Sequence, residues 1–236
     1  KKLKERVKLS FDFETTTCGK THVPYMCCLF NDEVEECFYG EDCAKQMFKF
    51  IGNKYSDKEI FLIAHNAGYD FRFIYECLIG SSLNVIDRGK SLLQARGMYN
   101  HFGKQVSFII QDSYAFIATR LSSFGKMFKL DQQKEIIPYG LYNTYNVKTQ
   151  FISVAECVRH LHYQFKTENI GTTKDFAYLT KRKLYVRLFF ENCNKWNCLV
   201  DDKVDIIKYS KEYCMMDCIV QQCILTLVCL LQHLVE

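Results

Sequence analysis

The chain has 236 residues, 48% of them hydrophobic and 25% charged, with a net charge of +4 and 13 cysteines. This is an ordinary globular composition, sized for one large domain or one domain with an insertion. The cysteines lack the regular spacing of a small secreted scaffold, no signal peptide opens the chain, and the longest apolar run, CILTLVCLL at 223–231, is too short to span a bilayer. A disulfide-built secreted domain and a membrane partner are therefore not expected, whereas the positive charge permits a nucleic-acid partner.

In chain order, RVKLSFDFET (6–15) is β-branched and aromatic and predicts a strand. YMCCLFN (25–31) and EECFYG (35–40) predict two more, forming a meander. EDCAKQMFKFIGN (41–53) places Ala44, Met47, Phe48 and Ile51 at helical spacing, with Gly52 near its end. EIFLIAHN (59–66) predicts a buried strand, and YDFRFIYECLIG (69–80) a helix. Strands follow at 83–89, 91–100 and 106–113, around turns at 89–91 and 102–105. Helices are predicted at 114–129, 152–167, 172–191 and 203–234. Strands first, helices later and an early βα crossover predict a mixed α/β domain.

Three stretches carry acids in an apolar setting. Asp12 and Glu14 are i and i+2 on the first strand and share a face. Two buried like charges repel, and a divalent cation removes that conflict; oxygen ligands suit Mg²⁺ or Mn²⁺. A pair of solvated acids at a sheet edge is the plainer reading of these two residues alone. AHNAGYDF (64–71) puts Asn66, Tyr69 and Asp70 where a strand runs into a helix, and ligand sites in α/β sheets favour strand ends. In YSKEYCMMDC (209–218), Tyr213 and Asp217 are i and i+4 on a largely apolar helix, where an acid needs a partner, a cation or one of the lysines.

The combined set resembles the 3′–5′ exonuclease domain of family B DNA polymerases, among the DEDD exonucleases that carry a tyrosine in their third motif. DFETTT, HNAGYD and YCMMD resemble the three motifs in order. The closer resemblance is to the protein-primed branch of phages, linear plasmids and viruses. DSYAFI (112–117) resembles that branch's Ser-Leu motif, with Tyr114 at the Leu position, and FKLDQQKEIIPY (128–139) resembles the segment that supplies a catalytic lysine. The resemblance covers about 1–139 and 205–225.

It implies an RNase H-like fold, with a central mixed sheet flanked by helices and a helical insertion at 140–204 within one domain over 1–236. It implies two-metal hydrolysis of the 3′-terminal phosphodiester of single-stranded DNA, with two divalent cations, Mg²⁺ or Mn²⁺, held by Asp12, Glu14, Asp70 and Asp217. Tyr213 would orient the attacking water, and Lys134 would offset charge on the phosphate. Thr15, Asn66, Tyr69, Ser113 and Tyr139 would contact DNA. The parent protein would carry a polymerase domain, with a terminal (priming) protein as a further partner. No polymerase signature occurs within these residues. The alternatives are a catalytically silent module that binds DNA or a priming protein, and an RNA-directed exonuclease of the same fold.

Two features stand apart. Residues 148–198 hold nine Lys or Arg against four Asp or Glu, interleaved with Tyr178, Tyr185, Phe189 and Phe190. Such a pattern tracks single-stranded nucleic acid or marks a solvated helical face. Cys157, His160, Cys193 and Cys198 match zinc-ligand spacing only loosely, so structural zinc is not expected, and Cys214, Cys218 and Cys223 read as small apolar core residues. The expected location is intracellular and reducing, in host cytoplasm or nucleus if viral. A first residue of Lys rather than Met predicts a fragment or excised domain.

Overall fold

The computed structural model describes residues 5–18, 21–78, 83–89, 91–127, 136–169 and 176–233. The chain divides into two compact units: one comprises Lys1–Glu14, Pro24–Lys134 and Cys214–Glu236, the other Thr15–Val23 and Glu135–Tyr213.

The first unit is built on a seven-stranded sheet. The strands of that sheet are β1 (Arg6–Cys18), β2 (Thr21–Asn31), β3 (Val34–Tyr39), β4 (Glu59–Ala64), β5 (Asn84–Arg88), β6 (Ser91–His101) and β7 (Lys104–Asp112), in the order β3-β2-β1-β4-β7-β6-β5, with the last residues of β1 from Thr15 and the first of β2 to Val23 counted in the second unit. Only two residues separate β1 from β2, which allows only an antiparallel hairpin. β2 and β3 are antiparallel around a turn in which the Asn31 side chain accepts from the Glu33 N–H at 2.9 Å. The β6–β7 hairpin turns at Phe102 (φ 48°) and Gly103 (φ 79°), the left-handed pair that matches strand twist. β1 runs parallel to β4, and β4 parallel to β7. Mixed pairing with helices on both faces is the RNase H-like α/β arrangement that the sequence predicts, and the seven strands are the seven expected.

The two faces of β1 separate by alternation. Leu9, Phe11 and Phe13 are buried with Met47, Phe48 and Ile51 of α1 (Cys43–Lys54) and Ile74 and Leu78 of α2 (Phe71–Leu78). Ser10, Asp12 and Glu14 point the other way. There the buried Ser10 hydroxyl lies 2.8 Å from the Cys218 carbonyl and 3.2 Å from the Phe30 carbonyl, bridging to the final helix and to β2.

The expected helix over 114–129 is not formed as such. The Asp112 carboxylate accepts the Tyr114 N–H at 2.9 Å and starts a 3₁₀ turn over Ser113–Ala115. Arg120 is then extended (ψ 140°), and a second turn, Leu121–Ser123, leads into the four-residue α3 (Phe124–Met127). Residues 128–129 lie outside the described residues.

The second unit holds α4 (Thr144–Thr149), α5 (Val154–Glu168), α6 (Phe176–Lys195) and a small antiparallel sheet of β8 (Phe151–Ser153), β10 (Lys203–Asp205) and β9 (Leu199–Val200), in that spatial order. The segment expected to be a helical insertion thus also carries strands. Ser153 caps α5 by accepting the Glu156 N–H at 3.3 Å, in the S-x-x-E pattern. The long helix α7 (Ile206–His233) starts three residues later than expected, because Asp205 accepts the Lys208 N–H at 2.9 Å and caps it. Its first turns pack in this unit: Tyr209 lies 4.6 Å from Phe189 and 4.9 Å from Trp196, ring to ring.

Candidate metal centre

The acids of the first unit converge where its parallel strands end. Asp12 and Glu14 lie just beyond the last paired residues of β1 and β4, Ser10 and Ile63. Asp70 closes the loop between β4 and α2, and Asp217 lies on α7. Glu14, Asp70 and Asp217 are buried, at 8%, 3% and 2% exposure, and Asp12 is half-buried. The Asp70 carboxylate accepts the backbone N–H of Phe13, which fixes it to β1 between the two strand acids. One donor atom each from Asp12, Glu14 and Cys214 lie within 4.8 Å of one another, and the Cys214 thiol donates to the Asp12 carbonyl at 3.4 Å.

Electrostatics follow from this crowding. Burial pushes the Asp12 carboxyl well above its usual range, and the neighbouring acids Asp217, Asp70 and Glu14 push the same way. Burial also raises Asp70; N–H donation from Phe13 and from its own backbone opposes the shift, and Asp112 adds to it. An ionised cluster of this kind is strained by its own charge, and a divalent cation would relieve it. The donor chemistry, mostly carboxylate oxygen, therefore fits Mg²⁺ or Mn²⁺, with one sulfur nearby.

The loop that carries Asp70 is held from β7. Asp112 at the end of β7 accepts the Asn66 N–H at 2.8 Å, and Asn66 sits at φ 62°, a left-handed conformation that asparagine tolerates. His65 Nε2 faces the Thr119 carbonyl at 2.8 Å, an acceptor only, so that nitrogen carries the proton. Nδ1 then accepts from the Ser113 hydroxyl at 2.8 Å. Ser113, read from sequence as a DNA contact, is 1% exposed with its hydroxyl on His65. Asn66 is exposed. Tyr69 is half-buried, with the Arg72 guanidinium 4.5 Å from its ring centroid and Phe73 edge-on at 5.3 Å.

In the second unit, Tyr213 is buried, and its hydroxyl lies 3.2 Å from that of the exposed Tyr139. The Tyr139 N–H donates to Gln164 at 2.8 Å. Thr15 Oγ1 lies 3.4 Å from His22 Nδ1. Lys134 lies outside the described residues. Cys157 and Cys198 are buried thiols pushed up to about 12 by burial, and Cys193 is pushed up by the same cause.

Sequence reading missed Cys214, Asp112 and His65. Cys214 is not simply a core residue, because it reaches the strand acids. Its i, i+3 relation to Asp217 places both on one helix face and was the available signal. Asp112 lay inside a stretch already singled out, but as a residue that positions the loop it leaves no mark in sequence.

The family model for DNA polymerase type B, organellar and viral, matches residues 51–232, and the chain belongs to that family. A DNA polymerase of Kluyveromyces lactis is 24% identical over 238 residues, covering 92% of this chain. The chain spans 22% of that relative's length. Phi29 DNA polymerase in complex with primer-template DNA and incoming nucleotides is similar at 15% identity, covering 70% of this chain and 34% of that one, with a TM-score of 0.46. Its orthorhombic crystal form is similar at 16% identity, over 81% of this chain and 31% of that one, with a TM-score of 0.47. Among the described residues no helix is long and apolar enough to cross a membrane.

Proposed function

We propose that these residues form the 3′–5′ exonuclease region of a family B DNA polymerase, removing nucleotides from the 3′ end of single-stranded DNA in support of proofreading. The observation that carries this reading is the convergence of Asp12 and Glu14, just past the paired ends of β1 and β4, with the buried Asp70 and Asp217; Glu14, Asp70 and Asp217 push the Asp12 carboxyl upward. Family membership supplies the polymerase context.

Asp12, Glu14, Asp70 and Asp217 would hold two divalent cations. When bound, these would lower the pKa of the attacking water and offset charge on the leaving oxygen. The remaining work falls to the chain itself. The Phe13 N–H fixes the Asp70 carboxylate, and Asp112 holds the loop that presents it. By the motif resemblance, Tyr213 orients the water, since a phenol with an ordinary pKa near 10 suits hydrogen bonding better than proton abstraction. Lys134 offsets phosphate charge. Exposed Asn66 and the Tyr69 ring grip the last nucleotide, by hydrogen bonding and by stacking that accepts any base. Thr15, Tyr139 and Ser113 complete the DNA-side set, Ser113 through His65.

The test is digestion of 5′-labelled single-stranded DNA with Mn²⁺ or Mg²⁺, beside an Asp12→Ala, Glu14→Ala variant. A ladder shortening from the 3′ end, absent in the variant, supports the reading. An identical ladder from the variant removes these acids from the chemistry.

A further inference from the structure

The β2–β3 hairpin brings two thiols unusually close on the sheet face opposite the α1–α2 core. Cys28 and Cys37 are directly opposed in register, and their Sγ atoms lie 2.9 Å apart. The type of pair follows from the ladder. The Gly40 N–H donates to the Tyr25 carbonyl at 2.8 Å, so Tyr25 and Gly40 form a hydrogen-bonded pair. Hydrogen-bonded and non-hydrogen-bonded pairs alternate along an antiparallel ladder. Cys28 is three residues from Tyr25, as Cys37 is from Gly40, so the two cysteines form a non-hydrogen-bonded pair. Such pairs have the narrower spacing, with Cα atoms about 4.5 Å apart, inside the range a disulfide spans. The neighbouring Cys27 points to the other face, where its thiol lies 3.4 Å from Met47 Sδ.

We propose that Cys28 and Cys37 are an oxidation site: a dithiol that peroxide closes to a cross-strand disulfide. Cys37 is half-buried and reachable from solvent, and Cys28 is fully buried behind it. The order of events follows from that access. The Cys37 sulfur attacks the peroxide O–O bond, forms a sulfenic acid and releases one water. The Cys28 sulfur then attacks the sulfenyl sulfur; the S–S bond forms, the S–O bond breaks, and the hydroxyl leaves with the Cys28 proton as a second water. In total the two thiols give two electrons and two protons to one peroxide. The backbone is already at disulfide spacing, so closure needs only side-chain rotation. This inference is independent of the nuclease reading, because it uses neither the acids nor DNA.

Cys28 has competitors, which make the proposal specific. Its thiol also shares a hydrogen bond with that of Cys214, and the Cys218 thiol donates to the Cys28 carbonyl at 3.5 Å. The test is treatment of the purified chain with hydrogen peroxide, alkylation of remaining thiols, and non-reducing peptide mapping by mass spectrometry. The expected product is a peptide pair joined through Cys28 and Cys37, released by dithiothreitol. It should be absent from both Cys37→Ser and Cys28→Ser, the latter separating Cys28 from Cys27 on the same peptide. Linkage of Cys28 to Cys214 or Cys218, or full alkylation of both cysteines after peroxide, would overturn the proposal.

Discussion

The Cys214 thiol donates to the main-chain carbonyl of Asp12 at 3.4 Å, so the helix that carries Asp217 is bonded to the strand that carries the first two acids. The sulfur also lies within 4.8 Å of carboxylate oxygens of Asp12 and Glu14. A thiol beside carboxylates adds a soft donor to a hard set. Cd²⁺ should therefore raise the melting temperature of the parent more than that of Cys214→Ser, whereas Mn²⁺ should raise both alike. An equal Cd²⁺ response in the two proteins would place the sulfur outside the metal site.

The raised carboxyls set a pH dependence whose sign is fixed. Asp12 and Asp70 hold their protons to higher pH in the folded chain than in the unfolded one. The folded state then binds more protons, and stability falls as pH rises from the ordinary carboxylate range through the folded pKa values. In chelator, thermal melts should show this loss above about pH 4, the unfolded carboxyl value. Mn²⁺ should reverse it near neutral pH, and Asp12→Asn should flatten the chelated profile. A chelated protein whose stability rises over the same range would contradict the buried-cluster account.

Ser10 should be sensitive to a change that removes a single atom. Its buried hydroxyl serves the carbonyls of Cys218 and Phe30. Ser10→Ala leaves those carbonyls without that donor, at a cost of about 1–3 kcal/mol for a buried polar group. Urea denaturation of the two proteins measures it; an unchanged midpoint would mean that the hydroxyl holds nothing together.

Gly52 tests two opposing effects. Alanine is favoured over glycine inside a helix by about 1 kcal/mol. A Cβ on Gly52, however, would meet the His101 ring at 2.6 Å. That ring cannot easily retreat: it is buried, bonded to Asn53 Oδ1 at 2.7 Å and packed against Phe102 at 4.6 Å. Overpacking of this kind costs about 1–3 kcal/mol, so Gly52→Ala should lower stability despite the better helix former. A stabilised variant would show that the ring gives way freely.

Much of the sheet was legible because its residues alternate. Phe11 and Phe13 against Asp12 and Glu14 fix both the strand and its two faces, and the helical spacing of Met47, Phe48 and Ile51 marks α1. The stretch after β7 misled because apolar spacing suggested one helix, while the Asp112 side chain bonds to Tyr114 and starts a tighter turn. Lys203–Asp205 merged with the helix by composition, and the Asp205 cap that divides them depends on its side-chain geometry. The four acids stood out in sequence as acids in apolar stretches, and the motif resemblance grouped them into one set. Their support was not: the Phe13 N–H on Asp70, the Asp112 hold on Asn66 and the reach of Cys214 are through-space relations between distant segments.

The most direct measurement is Mn²⁺ binding to the purified chain followed by electron paramagnetic resonance, with Asp12→Asn and Asp70→Asn alongside. The account predicts saturable Mn²⁺ binding by the parent, Mg²⁺ competing for the same sites, and binding weakened at least tenfold in each variant. Mn²⁺ binding that both variants retain at parent affinity, or no saturable binding by the parent, would contradict a cation site built from Asp12, Glu14, Asp70 and Asp217.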